Sequence, residues 1–136
     1  MSAPATLQRC AKVEIVERHR FFVRWFRARS EISEFAQCER AFDEEFRMVT
    51  PDGALHRRVN VIERLREAHG SVDAGFKISI EDIAPIWRSE SAILMSYVEA
   101  QMRDGRSTRR RSTALLIKLA SAPNGAAWRH LHETWM

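Results

Sequence analysis

Hydrophobic residues recur along the chain with two different periods, and the change of period separates a helical first half from a second half made of strands. Over residues 8–29 the period is that of a helix. One stripe of this helix collects Ile15, Val16, His19, Phe22, Val23 and Phe26. Trp25 flanks the stripe, and the nearby arginines lie mostly off it. The pattern therefore predicts a long amphipathic helix whose stripe packs against a large apolar surface.

Two shorter helices and one strand follow the first helix. A helix is predicted over residues 31–40, and residues 46–50 alternate in the manner of a strand that ends at a Pro-Asp-Gly turn. Helical spacing returns over residues 55–69, and Gly70 is well placed to end that helix.

Four strands complete the chain in an antiparallel meander. Phe76, Ile78 and Ile80 alternate with polar residues, as in a half-buried strand. The later strands are predicted over residues 91–102, 107–120 and 127–135. Helices gathered on one face of an antiparallel sheet define an α+β domain. We expect a cone-shaped, strongly curved and mostly antiparallel sheet that wraps around the long first helix, with a pocket in the mouth of the cone.

The length of 136 residues fits one domain, expected over residues 9–136 after a flexible tail at residues 1–8. Cys10 and Cys38 form no C-x-x-C pair, so we expect no metal site and no cofactor. No apolar run reaches the roughly 20 residues of a membrane span, and the first residues lack a signal-peptide segment. These features predict a cytoplasmic protein with no membrane partner.

Arginine supplies most of the positive charge of the chain, whose formal net charge is +4. The densest cluster consists of Arg103, Arg106, Arg109, Arg110 and Arg111. Such a cluster serves either as a phosphate or nucleic-acid contact or as a solvated hairpin tip. We favour the hairpin tip because no aromatic side chains interleave with the arginines for base stacking, and we expect no nucleic-acid partner.

Four segments resemble the nuclear transport factor two-like superfamily, which includes the SnoaL-like polyketide cyclases and the ketosteroid isomerases. They are FRMVTPDG at 46–53, SYVEAQ at 96–101, TRRRSTALLIKL at 108–119 and AWRHLHETW at 127–135. The resemblance covers nearly the whole chain and is nearest to a branch of unknown function. It implies a cystatin-like fold with a conical cavity, and a homodimer that pairs through the sheet.

The isomerases of that superfamily use a carboxylate base in the strand just before a proline. Here the residue before Pro51 is Thr50, which cannot serve as that base, and the nearby Asp52 occupies a turn position. The resemblance therefore does not transfer isomerase chemistry to this chain.

Strand alternation supplies the polar residues of the predicted pocket, because every second side chain points to the same face. The helix stripe must face these residues if the sheet curls over the first helix. The predicted ligand-binding residues are His19, Phe22, Trp25, Phe26, Tyr97, Glu99, Gln101, Arg111, Trp128, His130 and His132. If the last strand turns the other way, Arg129, Leu131 and Glu133 line the cone instead.

The partner of Glu99 across the hairpin depends on the register of the strands. A two-residue turn at Asp104-Gly105 sets Glu99 opposite Arg110, and one further turn residue brings Arg111 there instead. We favour Arg111 because TRRRST resembles the single arginine before a Ser/Thr pair in that superfamily.

The candidates for catalysis are His132, Glu99 and Tyr97, because imidazole titrates near neutrality and carboxylates transfer protons. A buried, hydrogen-bonded structural histidine is the alternative interpretation of both His130 and His132. A metal is disfavoured because H-x-H supplies no third ligand.

Three functions stay open at this point. The leading one is a small-molecule-binding domain with a conical pocket, with or without catalysis. The second is an isomerase, cyclase or dehydratase of the SnoaL-like kind. The third is a non-catalytic dimerisation or accessory module whose cone is filled.

Overall fold

The computed structural model describes residues 6–136. The first helix, α1, spans Leu7–Phe26, and the Thr6 hydroxyl caps it by accepting a hydrogen bond from the amide of Arg9 at 3.2 Å. Leu7 and Gln8, which the sequence assigned to a flexible tail, are therefore helical. The rest of that expected tail, residues 1–5, lies outside the described residues.

Helix α1 buries a different stripe from the one that its hydrophobic pattern predicts, because a buried ion pair replaces part of the apolar surface. The Glu14 carboxylate is fully buried and accepts a hydrogen bond from Nε of Arg18 at 2.8 Å. The Trp128 indole at 2.8 Å and the Asn124 amide at 3.0 Å also donate to it. These hydrogen bonds connect α1 to the last strand and to the turn before it.

The region between α1 and the meander is less helical than its pattern predicts. A 3₁₀ turn at Ile32–Glu34 leads into the short helix α2, Phe35–Arg40. Strand β1, Phe42–Val49, is followed by a three-residue strand β2, Leu55–Arg57, which pairs with it antiparallel. Helix α3 therefore begins at Arg58 rather than at residue 55 and ends at Glu67.

The four predicted strands of the meander are present. They are β3 Lys77–Arg88, β4 Ala92–Arg103, β5 Arg106–Lys118 and β6 Ala126–Trp135. The sheet has the order β2-β1-β6-β5-β4-β3, and β1 joins it by pairing parallel to β6. Three helices and a curved, unclosed six-stranded sheet confirm the predicted α+β class.

Two irregularities decide which side chains face α1. Asp104 and Gly105 form the turn between β4 and β5 with φ of 51° and 75°, as in the tight hairpin turns that fit the twist of strands. This turn sets Glu99 opposite Arg110. A β-bulge between β5 and β6 pairs Leu115 with His130 but the next residue with Trp128, so one residue of β6 is extra and the alternation reverses there.

Candidate functional site

A cavity of about 230 Å³ lies between α1, α3 and the concave face of the sheet. Most of its wall is apolar, from Phe22, Phe26, Phe42, Phe46, Met48, Val61, Leu65, Ile78, Trp128 and Leu131. Its polar side chains are His19, Glu99, Gln101, Arg110 and Glu133. An apolar wall with a few grouped polar side chains is the usual composition of a ligand pocket.

His19 and Glu99 form a buried ion pair at one wall of the cavity. Nδ1 of His19 lies 2.7 Å from the carbonyl oxygen of Ile15, and Nε2 lies 3.0 Å from Oε1 of Glu99. Both partners accept hydrogen bonds, so the imidazole carries a proton on each nitrogen and is positively charged. Burial disfavours that charge, but the Glu99 carboxylate outweighs it and raises the pKa of His19 above its ordinary value.

The Glu99 carboxylate is held in its ionised form by the groups around it. Its second oxygen accepts a hydrogen bond from the Gln101 amide at 2.5 Å. Burial alone would raise the pKa of Glu99, but His19 and then Arg110 lower it to about 2. Glu99 is therefore a fixed negative charge at neutral pH.

A second pair of charged side chains, Arg110 and Glu133, lines the same cavity, and Arg110 lies directly opposite Glu99 in the β4–β5 hairpin. Nη1 of Arg110 and Oγ of Ser112 each donate to a different oxygen of Glu133 at 3.3 Å. Burial and the nearby charge of Glu99 raise the pKa of Glu133. Nε of Arg110 is buried and has no hydrogen-bond partner within residues 6–136, and the guanidinium lies 4.7 Å from the ring centre of Trp135. The pKa of Glu133 is thus shifted in the direction opposite to that of Glu99.

Tyr97, a predicted site residue, lies on β4 two residues before Glu99 but is not among the side chains that line the cavity. Its ring is fully buried and meets the His19 ring edge-on, with the centroids 5.7 Å apart. Among the described residues, none is placed to form a hydrogen bond with the phenol oxygen. Burial, and then the charge of Glu99, raise the pKa of Tyr97 well above its ordinary value, so the phenol stays protonated.

The structure gathers six of the predicted ligand-binding residues around the cavity. They are His19, Phe22, Phe26, Glu99, Gln101 and Trp128. Trp25 is not among them, because its ring packs between Phe21 and Phe35 and its Nε1 donates to the carbonyl of Leu65 at 2.7 Å.

The predicted positions of His130, His132 and Arg111 are corrected by the register. Because of the β-bulge, His130 and His132 pair with outward-facing residues of β5 and lie on the outer face, where His132 is exposed. Burial, and then the positive charge of Arg47, lower the pKa of His130. Arg111 is opposite Val98, exposed and turned away from the cavity, because the hairpin turn has two residues.

Arg110 and Glu133 occupy the places in the cavity that were expected for Arg111 and His132. Arg110 lies in the cavity because the hairpin turn has two residues, which is the register that the sequence analysis gave as the alternative to Arg111. Glu133 and Leu131 follow from the opposite orientation of the last strand, but Arg129 turns away and contacts Glu45. Nothing in the spacing of the sequence marks the bulge that causes this.

Residues 6–136 meet the requirements of neither a metal site nor a membrane-spanning helix. This part of the chain holds no group of three His, Cys, Asp or Glu side chains arranged to bind a metal ion. Across the same residues, no helix combines the length and apolar character needed to cross a membrane.

Comparison with known families and structures places this geometry in context. The family model described as "Sucrose-6-phosphate phosphohydrolase C-terminal" matches residues 11–136. No curated protein matches the sequence.

Several solved structures share the fold. A nuclear transport factor two-like protein of unknown function from Pseudomonas aeruginosa is 25% identical with a TM-score of 0.85, over 93% of this chain and 98% of that one. The CaMKII hub of S. rosetta is 14% identical with a TM-score of 0.77, over 98% and 100%. A protein with a cystatin-like fold from Caulobacter vibrioides is 14% identical with a TM-score of 0.67, over 93% and 87%.

Proposed function

The chain belongs to the sucrose-6-phosphate phosphohydrolase C-terminal family and to the nuclear transport factor two-like superfamily, and from this premise we propose that it is a small-molecule-binding domain. The ligand occupies the cavity between α1, α3 and the concave face of the sheet. Residues 9–136 act as one unit in this proposal, and the two free cysteines favour a reducing compartment such as the cytoplasm.

The observation that carries the proposal is the convergence of four ionisable side chains on a cavity that is otherwise apolar. His19, Glu99 and Glu133 are each at most 5% exposed, and Arg110 joins them. Burying charges costs free energy even when they are paired, and a well-packed apolar core would be at least as stable. Ionisable groups with shifted pKa values beside a cavity are typical of functional sites.

The size of the cavity limits the ligand. Pockets for drug-sized molecules usually measure about 300–1,000 Å³, and this cavity is smaller at about 230 Å³. The ligand is therefore a compact molecule with an apolar body and one polar end that reaches the polar part of the wall at Gln101 and Arg110.

Mass spectrometry of ligand that co-purifies under native conditions tests the proposal, backed by ligand-observed NMR with a fragment library. Glu99→Gln and Arg110→Gln should each reduce the bound ligand, because both change the polar wall. Arg111→Gln is the matched control, since Arg111 is next in sequence to Arg110 and points outward. Fragments that bind the wild type and all three variants equally would contradict the proposal.

A catalytic role for the same cavity is favoured by the position of Glu133, a buried carboxyl that lines the cavity and whose pKa is raised by burial and by the charge of Glu99. A carboxyl that titrates closer to neutrality is better suited to accept and return a proton. An isomerase, cyclase or dehydratase of this kind would use Glu133, not Thr50 or His132. Deuterium exchange from solvent into the bound ligand, lost in Glu133→Gln, tests this alternative.

A second candidate function is that of an association module, and the outer face of the sheet supports it. A stripe of half-buried residues runs across that face, and we name it the outer stripe: Leu94, Thr113, Leu115, Ile117 and His130. Trp87, opposite Leu94 on β3, is 57% exposed. Among the similar structures is the association domain of C. elegans CaMKII, 14% identical.

In this alternative the chain forms a homodimer through the outer stripe. Light scattering at tens of micromolar should give twice the monomer mass, and Leu115→Arg should return it to the monomer without unfolding it. Only monomer in the wild type would exclude the homodimer while leaving the cavity proposal intact.

A further inference from the structure

We propose that the ligand is an organic monoanion, an aryl or branched-chain carboxylate. Its apolar body fills the cavity, and its carboxylate is bound by a basic entrance made of Arg103, Arg106 and Arg110. This inference rests on the proposed ligand-binding function and specifies its ligand class.

The entrance lies on the same face of the hairpin as the cavity. Across β4 and β5 the pairs Glu99–Arg110, Gln101–Thr108 and Arg103–Arg106 are two residues apart on each strand, so all six side chains share the concave face. At about 3.4 Å per residue, the Arg103–Arg106 pair lies about 14 Å along the strands from the Glu99–Arg110 pair. A polar row thus continues from the cavity to the hairpin tip.

A second hollow covers the outer part of this row. Its lining is Gln101, Arg103, Asp104, Arg106, Thr108, Arg110 and Trp135. Gln101 and Arg110 line both this hollow and the cavity. A molecule that passes these two side chains therefore has its body in the cavity and its end among the arginines.

The arginines of the entrance lack the partners that their neighbours have. Arg109, on the outer face, donates to Glu81 at 2.6 Å. Within residues 6–136 no carboxylate pairs with Arg103 or Arg106, which lie directly opposite one another. Like charges in that position destabilise a hairpin. An anion between them would remove this repulsion.

Arg110 offers the third contact. Its Nη1 donates to Glu133, but Nε is buried and finds no partner in the part of the chain that the structure describes. The guanidinium is held over the Trp135 ring, which fixes the direction of its free donors. A carboxylate suits such a planar donor group because its two oxygens can accept parallel hydrogen bonds.

The charge of the entrance indicates a single negative charge on the ligand. Three arginines are set against Asp104, which lines the hollow, and Glu133, which is bonded to Arg110. One positive charge is left over when both carboxyls are ionised. The cavity itself adds none, because the charges of His19 and Glu99 balance.

The test compares carboxylates with their neutral amides, which have nearly the same shape. The probes are phenylacetate, 3-phenylpropionate and 4-methylpentanoate, each with its carboxamide, titrated into the full chain and followed by NMR shifts and calorimetry. We expect at least one acid to bind about tenfold or more tightly than its amide, the scale of a charge-assisted hydrogen bond. Raising the salt concentration should reduce this ratio, because the entrance arginines are exposed.

The double variant Arg103→Gln/Arg106→Gln should lower the ratio of acid to amide affinity several-fold, because only Arg110 then remains to bind the carboxylate, while the amide still binds. Arg109→Gln/Arg111→Gln, on the opposite face of the same hairpin, should leave the ratio unchanged. Acid and amide binding equally to the wild type would overturn the anion inference but leave the ligand-binding function standing. No binding of any of the six probes would count against both.

Discussion

Nε2 of His19 donates to Oε1 of Glu99 at 3.0 Å, and this bond joins α1 to β4 across 80 positions of the sequence. The other ring nitrogen is held by the carbonyl of Ile15. If the imidazole lost a proton, the bare nitrogen would face an oxygen that has no hydrogen to donate, and one of the two hydrogen bonds would be lost. The pair fixes both the charge of the site and the position of α1 over the sheet.

The titration of His19 should shift upward because of this pair. We expect its imidazolium signal in NMR to persist above the ordinary histidine pKa of about 6.5, since Glu99 raises the pKa of His19. A raised pKa means that the folded state binds the proton more tightly than the unfolded state does. The stabilisation is therefore complete below about pH 6.5 and is lost as the pH rises through the pKa in the folded protein.

Substitution at Glu99 separates the contribution of the ion pair from that of burial. Glu99→Gln removes the charge, so burial alone should bring the pKa of His19 below its wild-type value. His132→Gln, on the outer face, should leave the His19 titration where it is. A His19 pKa in the wild type at or below the ordinary histidine value would show that the pair is not ionised.

The buried pair of Glu14 and Arg18 should contribute far more to stability than an exposed pair on the same helix. Arg18→Met leaves a fully buried carboxylate without its main partner, which costs about 3–5 kcal/mol of unfolding free energy. Arg20→Met is the matched control. It breaks a pair with Glu17 whose side chains are 67% and 47% exposed, and should cost at most about 1 kcal/mol.

Urea unfolding followed by circular dichroism measures both changes. Adding Glu14→Gln to Arg18→Met should recover part of the loss, because no buried charge then remains unpaired. Equal losses from Arg18→Met and Arg20→Met would mean that the Glu14 carboxylate is not charged in the folded protein.

The arginine cluster should not bind nucleic acid, because its members are divided between the two faces of the hairpin. Arg103, Arg106 and Arg110 line the concave side, whereas Arg109, which pairs with Glu81, and Arg111 lie on the outer face. A phosphate backbone is bound tightly by many positive charges along one surface, and neither face of the hairpin carries more than three members of the cluster. Fluorescence anisotropy with duplex DNA and single-stranded RNA should detect no sub-micromolar binding at physiological ionic strength. Salt-sensitive binding that Arg109→Ala/Arg110→Ala abolishes would contradict this expectation.

Much of the fold could be predicted from the sequence because helix α1 and the four strands of the meander each leave their own period in the chain, whereas the three-residue strand β2 is too short to do so. The hairpin is an example: Asp104-Gly105 fixes a two-residue turn, and the turn alone fixes the pairing of Glu99 with Arg110. The weaker expectation of Arg111 came from a resemblance and was wrong. For the register of this hairpin, the residues of the turn predicted the pairing correctly and the resemblance did not.

The last strand shows what alternation cannot reveal. Trp128 faces the cavity as predicted, but the bulge after it turns His130 and His132 outward and brings Leu131 and Glu133 inward. A single extra residue on one strand leaves no periodic pattern in the sequence, so alternation cannot reveal it. The burial of Glu14 and Arg18 is hidden for a related reason, since a charged pair inside a helix has the same sequence pattern as a solvated one.

Strand β6 should be indispensable to the fold. It lies between β1 and β5, and β1 with β2 joins the rest of the sheet only through it. Deleting residues 128–136 removes hydrogen bonds on both sides of the strand, together with Trp128, which is 2% exposed. Truncating a buried Trp to Ala costs about 3–5 kcal/mol, against a usual total stability of about 5–15 kcal/mol.

The truncated chain should therefore be insoluble, or should unfold without a cooperative transition. Deletion of Met136 alone is the control, because its side chain is 57% exposed and it follows the end of β6. That variant should melt within a few degrees of the wild type. A cooperative thermal transition and a native circular dichroism spectrum in the chain that lacks residues 128–136 would refute the central position of β6.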